Sequence, residues 1–198
     1  GWYIHAAIFC ALAAVLPEQI QAGNGLMSSL RTYGTEVDGR VFNAHFFCGG
    51  GRGATSAGDG MGQNMFPSSA SNVPVEVFEL NSPALVLAKE YITDSAGAGK
   101  HRGAPGQRLV MSKLPSHPDE LNFYFHPNRL SFAPEGIFGG EDGTKTRVVV
   151  NGEAISGDPK TMRQGYVTIR TSQDRLEVEF PSGAGAHAAK EREIGRAS

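Results

Sequence analysis

The chain has 198 residues, 40% hydrophobic and 19% charged, with a net charge of −2. That length suffices for one domain with a real core, and the charge gives no basic footprint for nucleic acid. Two cysteines, Cys10 and Cys48, make neither a disulfide framework nor a CxxC zinc pair, and 26 glycines with 11 prolines stay below low-complexity composition.

The first sixteen residues, GWYIHAAIFCALAAVL, are almost wholly apolar and stop at Pro17. They predict a helix over 2–16, ended by the proline. The run is shorter than the roughly 20 apolar residues of a membrane span and lacks the basic start of a secretory signal. A helix buried on all sides by protein fits best, in a cytoplasmic chain with no membrane partner. The sequence opens inside this run and without Met, so more protein is expected upstream. Residues 22–40 show no clear period. Val41 to Phe47 reads as a short aromatic strand. Val75 and Val77, then Leu85 and Leu87, alternate over 74–92 around a turn at Asn81-Ser82-Pro83. Leu121, Phe123 and Phe125 alternate with polar neighbours. Arg147 to Val150 runs into Asn151-Gly152, a dipeptide suited to a tight hairpin. Val167 and Ile169 mark a further strand. Leu176, Val178 and Phe180 face one way, Glu177 and Glu179 the other. The expectation is an α+β chain: a buried N-terminal helix, then about eight short strands and glycine-rich loops, in a single domain over 1–198. The tail from Ala184 is expected to fray.

Seven of the fourteen residues in GGGRGATSAGDGMG (Gly49–Gly62) are glycine. The loop lacks the Lys-Ser/Thr ending of a P-loop and the spacing of a dinucleotide site, which argues against nucleotide binding. Ala54 to Gly58 faintly resembles a nucleophile elbow, but no strand-turn-helix surrounds Ser56. Bare backbone N–H groups can still approach a substrate or partner closely. Gly49, Gly50, Gly51, Asp59 and Gly60 are therefore the candidate substrate-binding or interface residues. His117 and Asp119 could share a metal but flank Pro118 in a turn, where solvated residues are the plainer reading. Glu76 and Glu79 sit three apart on an expected strand, on opposite faces, which disfavours joint acid/base work. Lys100-His101-Arg102 reads as a solvated basic turn or as a clamp on a carboxylate. No self-contained catalytic site emerges.

Four stretches, in order, resemble the hydantoinase B/oxoprolinase/acetone carboxylase alpha-subunit family: GGGRGATSAGDG with SASNVPVEVFE (Ser69–Glu79), TDSAGAGKHRGAPG (Thr93–Gly106), FAPEGIFGGEDG (Phe132–Gly143) and LEVEFPSGAGAH (Leu176–His187). Ala96 stands where the family has glycine, and 183–187 is poorer in glycine than the family's ending. The resemblance implies the C-terminal portion of a B-type subunit. Its partners would be the N-terminal part of that subunit and an ATP-binding hydantoinase A-type subunit. The substrate would be a cyclic amide, hydrolysed, or a ketone, carboxylated, after phosphorylation of the carbonyl oxygen. ATP and a divalent metal belong to the full assembly; none is expected to be bound by this segment, which has no match to the family's metal motifs. A non-catalytic β-rich assembly module is the reading from a different class.

Overall fold

The computed structural model describes residues 1–68, 70–155 and 166–192. Helix α1 (Ile4–Leu12) precedes strands β1 (Met27–Thr35) and β2 (Val41–Gly49), then helix α2 (Val75–Leu80). Strands β3 (Ala84–Tyr91), β4 (Gln107–Lys113), β5 (Leu121–His126), β6 (Arg147–Val150), β7 (Glu153–Ala154), β8 (Tyr166–Ile169) and β9 (Leu176–Phe180) follow, and a 3-10 turn spans Ala189–Glu191. The strands form two antiparallel sheets, β2-β1-β5-β8 and β3-β4-β9-β6-β7. The architecture is α+β, as the sequence predicts.

The alternating strands behave as their pattern requires. Leu121, Phe123 and Phe125 of β5 and Leu176, Val178 and Phe180 of β9 are buried, while the residues between them are not. The inner faces of both sheets share one cluster, in which Leu30, Phe46 and Phe123 of the first meet Leu109, Val178 and Phe180 of the second. Non-directional apolar burial of this kind is the main force holding such layers together. Asn151 and Gly152 both take positive φ, 51° and 87°, so β6 and β7 close through the tight turn that the dipeptide predicts.

Four elements depart from the sequence reading. Helix α1 is shorter than 2–16, and none of its residues is buried within this chain. Its small and aromatic side packs inward, with His5 5.0 Å and Phe9 6.3 Å from the Phe66 ring. Ile4 and Ile8, at i and i+4, point out at 63% and 49% exposure. Residues 75–80 are helical, so Glu76 and Glu79 are not on a strand; Glu79 is occupied in accepting the Val86 N–H at 2.7 Å. Strands β1 and β4 have no counterpart in the expectation. β1 turns Ser28 and Thr32 into the interior, and β4 is buried on nearly every residue, so neither alternates in hydropathy.

Cys48 lies in the core, where burial pushes its thiol up to about 12. Cys10 is exposed on α1. Iodoacetamide at about pH 8 should alkylate Cys10 and spare Cys48 until denaturant is added, because the thiolate is the reactive form. Peptide mass spectrometry checks this, and equal labelling of both native thiols would contradict the placement of β2.

Candidate functional site

The glycine-bearing segments of the sequence meet in space. Residues 183–186 lie at the centre, and their successive N–H groups go to different neighbours. Gly183 donates to Ala104 O (2.8 Å), Ala184 to Gly23 O (3.0 Å), Gly185 to Glu141 O (2.9 Å) and Ala186 to His101 O (2.9 Å). Their carbonyls accept in turn from Gly97, Ala54, Ile137 and His101. Such surrounding of one backbone by others is possible only where side chains are missing. A Cβ on Gly183 would land on the carbonyl of Arg52, and one on Gly51 would sit 2.6 Å from Gly183 N. The tail expected to fray therefore does not do so over its first residues: Ala184 and Ala186 are fully buried.

The five residues predicted as a site divide into two groups. Gly49, Gly50 and Gly51 are buried at the end of β2. Gly49 donates to Asn72 Oδ1 (3.0 Å), Gly50 to Leu26 O (2.6 Å) and Gly51 to Pro181 O (2.9 Å). Their bare faces meet this chain's own backbone at Asn64, Gly25 and Ala104. Gly60 lies against Arg52 and donates to Arg102 O (2.6 Å), beside Asp59. Asp59 is held by Arg192 at 2.9 Å, by the Arg102 N–H at 2.8 Å and by His101 Nδ1 at 3.8 Å. Partial burial raises its pKa, but hydrogen bonds from Arg192 and Arg102 outweigh that and hold the carboxyl below its ordinary value. The turn at 100–102 thus meets a carboxylate of the same chain, but through the Arg102 backbone N–H and the His101 ring; the guanidinium that pairs with it is Arg192's.

The remaining singled-out residues are placed otherwise than expected, or plainly. His117 is buried, with Nδ1 3.5 Å from Glu36 Oε2, and is not a solvated turn residue. Ser56 donates its hydroxyl to Pro17 O (2.8 Å), and among the described residues no helix follows it before α2. Among the described residues no three His, Cys, Asp or Glu side chains group as metal ligands.

A concave site lies beside α1, between it and segments 21–24 and 129–137, with a volume of about 310 Å³. Its polar wall is a network. Asn24 Oδ1 accepts from Gln21 Nε2 (2.9 Å) and from the Gly53 N–H (3.0 Å), and Arg52 Nε donates to Gln21 Oε1 (2.9 Å). Arg129 Nε donates to Asn24 O (3.0 Å), and its guanidinium lies 5.3 Å from the Tyr3 ring centroid. His5 Nε2 is 3.5 Å from Asn24 Nδ2; partial burial and nearby Arg129 lower its pKa. Glu135 and Cys10 line the same space. None of the five predicted residues does. The glycine loop reaches the pocket's wall through Arg52, the Gly53 N–H, the Ala54 carbonyl, which accepts the Ala22 N–H (2.8 Å), and the Gln21–Thr55 bridge. The available sequence signal was QAGNG directly after an apolar helix, an amide pair with no place in a strand; Arg129 and Glu135 carried none.

Residues 1–186 match the protein-family model described as Hydantoinase B/oxoprolinase. An uncharacterized protein of Methanocaldococcus jannaschii is 31% identical over 124 residues, covering 62% of this chain and 21% of its own length. An ATP-dependent caprolactamase from Pseudomonas jessenii has a similar fold, with TM-score 0.73 at 19% identity, over 93% of this chain and 33% of that one. A nucleotide-free acetone carboxylase gives 0.66 at 20% identity, over 92% and 28%. The chain thus spans between a fifth and a third of each of these relatives.

Proposed function

The chain belongs to the hydantoinase B/oxoprolinase family, and from that premise we propose that it is the C-terminal portion of a B-type subunit in an ATP-dependent amide hydrolase. The enzyme is of hydantoinase or 5-oxoprolinase type and works in the cytoplasm with a hydantoinase A-type subunit. The observation that carries this is the family match over residues 1–186. ATP and a divalent metal are assigned to the rest of the assembly. Phosphorylating a cyclic amide's carbonyl oxygen there supplies the electrophile, and this chain supplies a rigid glycine-packed scaffold and the pocket beside α1. A second reading, a subunit of an ATP-dependent ketone carboxylase, draws on the fold shared with acetone carboxylase. Among the described residues no helix is long and apolar enough to cross a membrane.

The full-length B-type protein, mixed with its A-type partner, should release ADP from ATP when a cyclic amide such as hydantoin or 5-oxoproline is added. The 198-residue chain alone should do neither chemistry. ADP release with a ketone and bicarbonate, but with no cyclic amide, selects the carboxylase. Turnover by the isolated chain, or no substrate-linked ADP release at all, overturns the proposal.

A further inference from the structure

Arg129, in the wall of the pocket beside α1, is only 7% exposed. Its guanidinium donates to two backbone carbonyls, Asn24 O at 3.0 Å and Ala133 O at 3.4 Å, and lies by the Tyr3 ring. Among the described residues no carboxylate is within ion-pairing distance of it. Carbonyl dipoles and a ring face reduce the cost of a buried charge but do not cancel it, and buried charges in proteins are normally paired. Burial accordingly lowers the pKa of this group, against the opposing pull of Tyr3 and Glu135. An arginine fork presented to a cavity in this way suits a carboxylate, which it can meet with two parallel hydrogen bonds.

The pocket carries a second charge. Glu135 lines it from an exposed position, beyond ion-pairing distance of Arg129. The lining also carries an apolar portion, in which α1 contributes Ala6, Ala7 and Phe9. A carboxylate alone would gain at Arg129 and be repelled by Glu135; an amine alone would meet the reverse. We infer that this pocket binds a small amino carboxylate, with its carboxylate on Arg129, its ammonium on Glu135 and its short apolar body against α1. The volume of about 310 Å³ is at the small end of ligand sites, which fits a metabolite of amino-acid size. The inference concerns binding and needs neither ATP nor the partner subunit, so it stands or falls separately from the catalytic reading.

Cys10 lines the same pocket, is exposed and donates its thiol to Glu135 Oε2 at 4.0 Å, so an ammonium on Glu135 displaces that contact and the thiol reports it; protection is read in each variant against the same variant without probe. In the full-length protein without ATP, Cys10 alkylation by iodoacetamide would be followed by peptide mass spectrometry. The probes are glycine, 4-aminobutanoate and 6-aminohexanoate, with butanoate and butylamine as single-ended controls. At least one amino carboxylate should slow labelling saturably, by about tenfold more than either control, the ratio that one good charge-assisted contact gives. Glu135→Gln, at an exposed position, should reduce that probe to the level of butanoate. Arg129→Gln should abolish protection, with the melting curve showing whether the fold survives. No saturable protection by any amino carboxylate, protection by butanoate equal to the best of them, or unchanged discrimination in Glu135→Gln would each overturn the inference.

Discussion

Gly183→Val should lower the melting temperature by about 10 °C or prevent folding, whereas Gly58→Ala in the glycine loop should leave it unchanged or raise it by no more than about 4 °C. The difference is local geometry. A side chain at 183 collides with the carbonyl of Arg52 and comes within 2.8 Å of Gly53 N, and these atoms are backbone held by further hydrogen bonds. Nothing flexible can move aside, so the cost exceeds the ~1–3 kcal/mol of ordinary overpacking, and each kcal/mol is worth about 2–4 °C in a chain this long. Gly58 has open space around its missing Cβ and no positive φ; replacing it mainly restrains the unfolded chain, a gain of about 0.4–1 kcal/mol at most. Thermal melts by circular dichroism distinguish the two. Similar small shifts for both would mean the glycine segments are not packed as described. The same geometry changes what Gly51→Val should do. If Gly50 and Gly51 served only as substrate-binding or interface residues, valine at either would reduce assembly or turnover far more than melting temperature. With Gly183 N 2.6 Å from the added Cβ, stability should fall first.

Phe78→Ala should cost about 3–5 kcal/mol, the range for deleting a buried aromatic. Phe78 is 1% exposed, and its ring lies 4.8 Å from that of Phe46 on β2. It is also the only buried residue of α2, so its loss leaves the helix held to the core mainly by half-buried Val75. Val77→Ala should change stability by no more than about 0.5 kcal/mol, as for surface positions generally, because Val77 is exposed. An extended reading of 75–80 predicts the reverse order, with Val75 and Val77 inward. Urea denaturation of the two variants separates these outcomes, and a Val77 effect as large as that of Phe78 would rule out the helix.

The misreading of 75–80 shows what local pattern can and cannot carry. Val75-Glu76-Val77 has the alternation of a half-buried strand, and β-branched residues favour strands. A helix of six residues has too few turns to display its own period, and one contact, Phe78 on Phe46, decides it. β5 and β9 were legible because each buries one face only. β4 was not, since a central strand covered on both faces loses its alternation. β1 was hidden for the opposite reason, with polar Ser28 and Thr32 on its inner side. For the glycine loop, the inference of close backbone approach was sound in kind. The partner was segments 22–25, 97–104 and 181–185 of the same chain, and such long-range backbone pairing leaves no trace in spacing. The pocket's charged pair, Arg129 and Glu135, was invisible for a related reason: six positions apart in an irregular segment, they fit no periodic motif.

The central position of residues 183–186 also has a bearing on synthesis. The segments that bind them were made much earlier, at 22–23, 52–54, 97–104 and 137–141. A ribosome releases the chain from its N-terminus, so those glycine runs emerge with their middle layer still unmade. They can pair with one another, as Ala22 does with Ala54 and Ala104 with Arg52, but the N–H groups of Ala54, Gly97, His101 and Ile137 wait for the carbonyls of 183–186, and contacts so distant in sequence form slowly. The β1–β2 hairpin can zip early, but the glycine layers can close only once residues 183–186 have emerged. Damage at Gly183 would then show itself as a segment whose earlier layers have formed but never lock, a species open to chaperones and proteases.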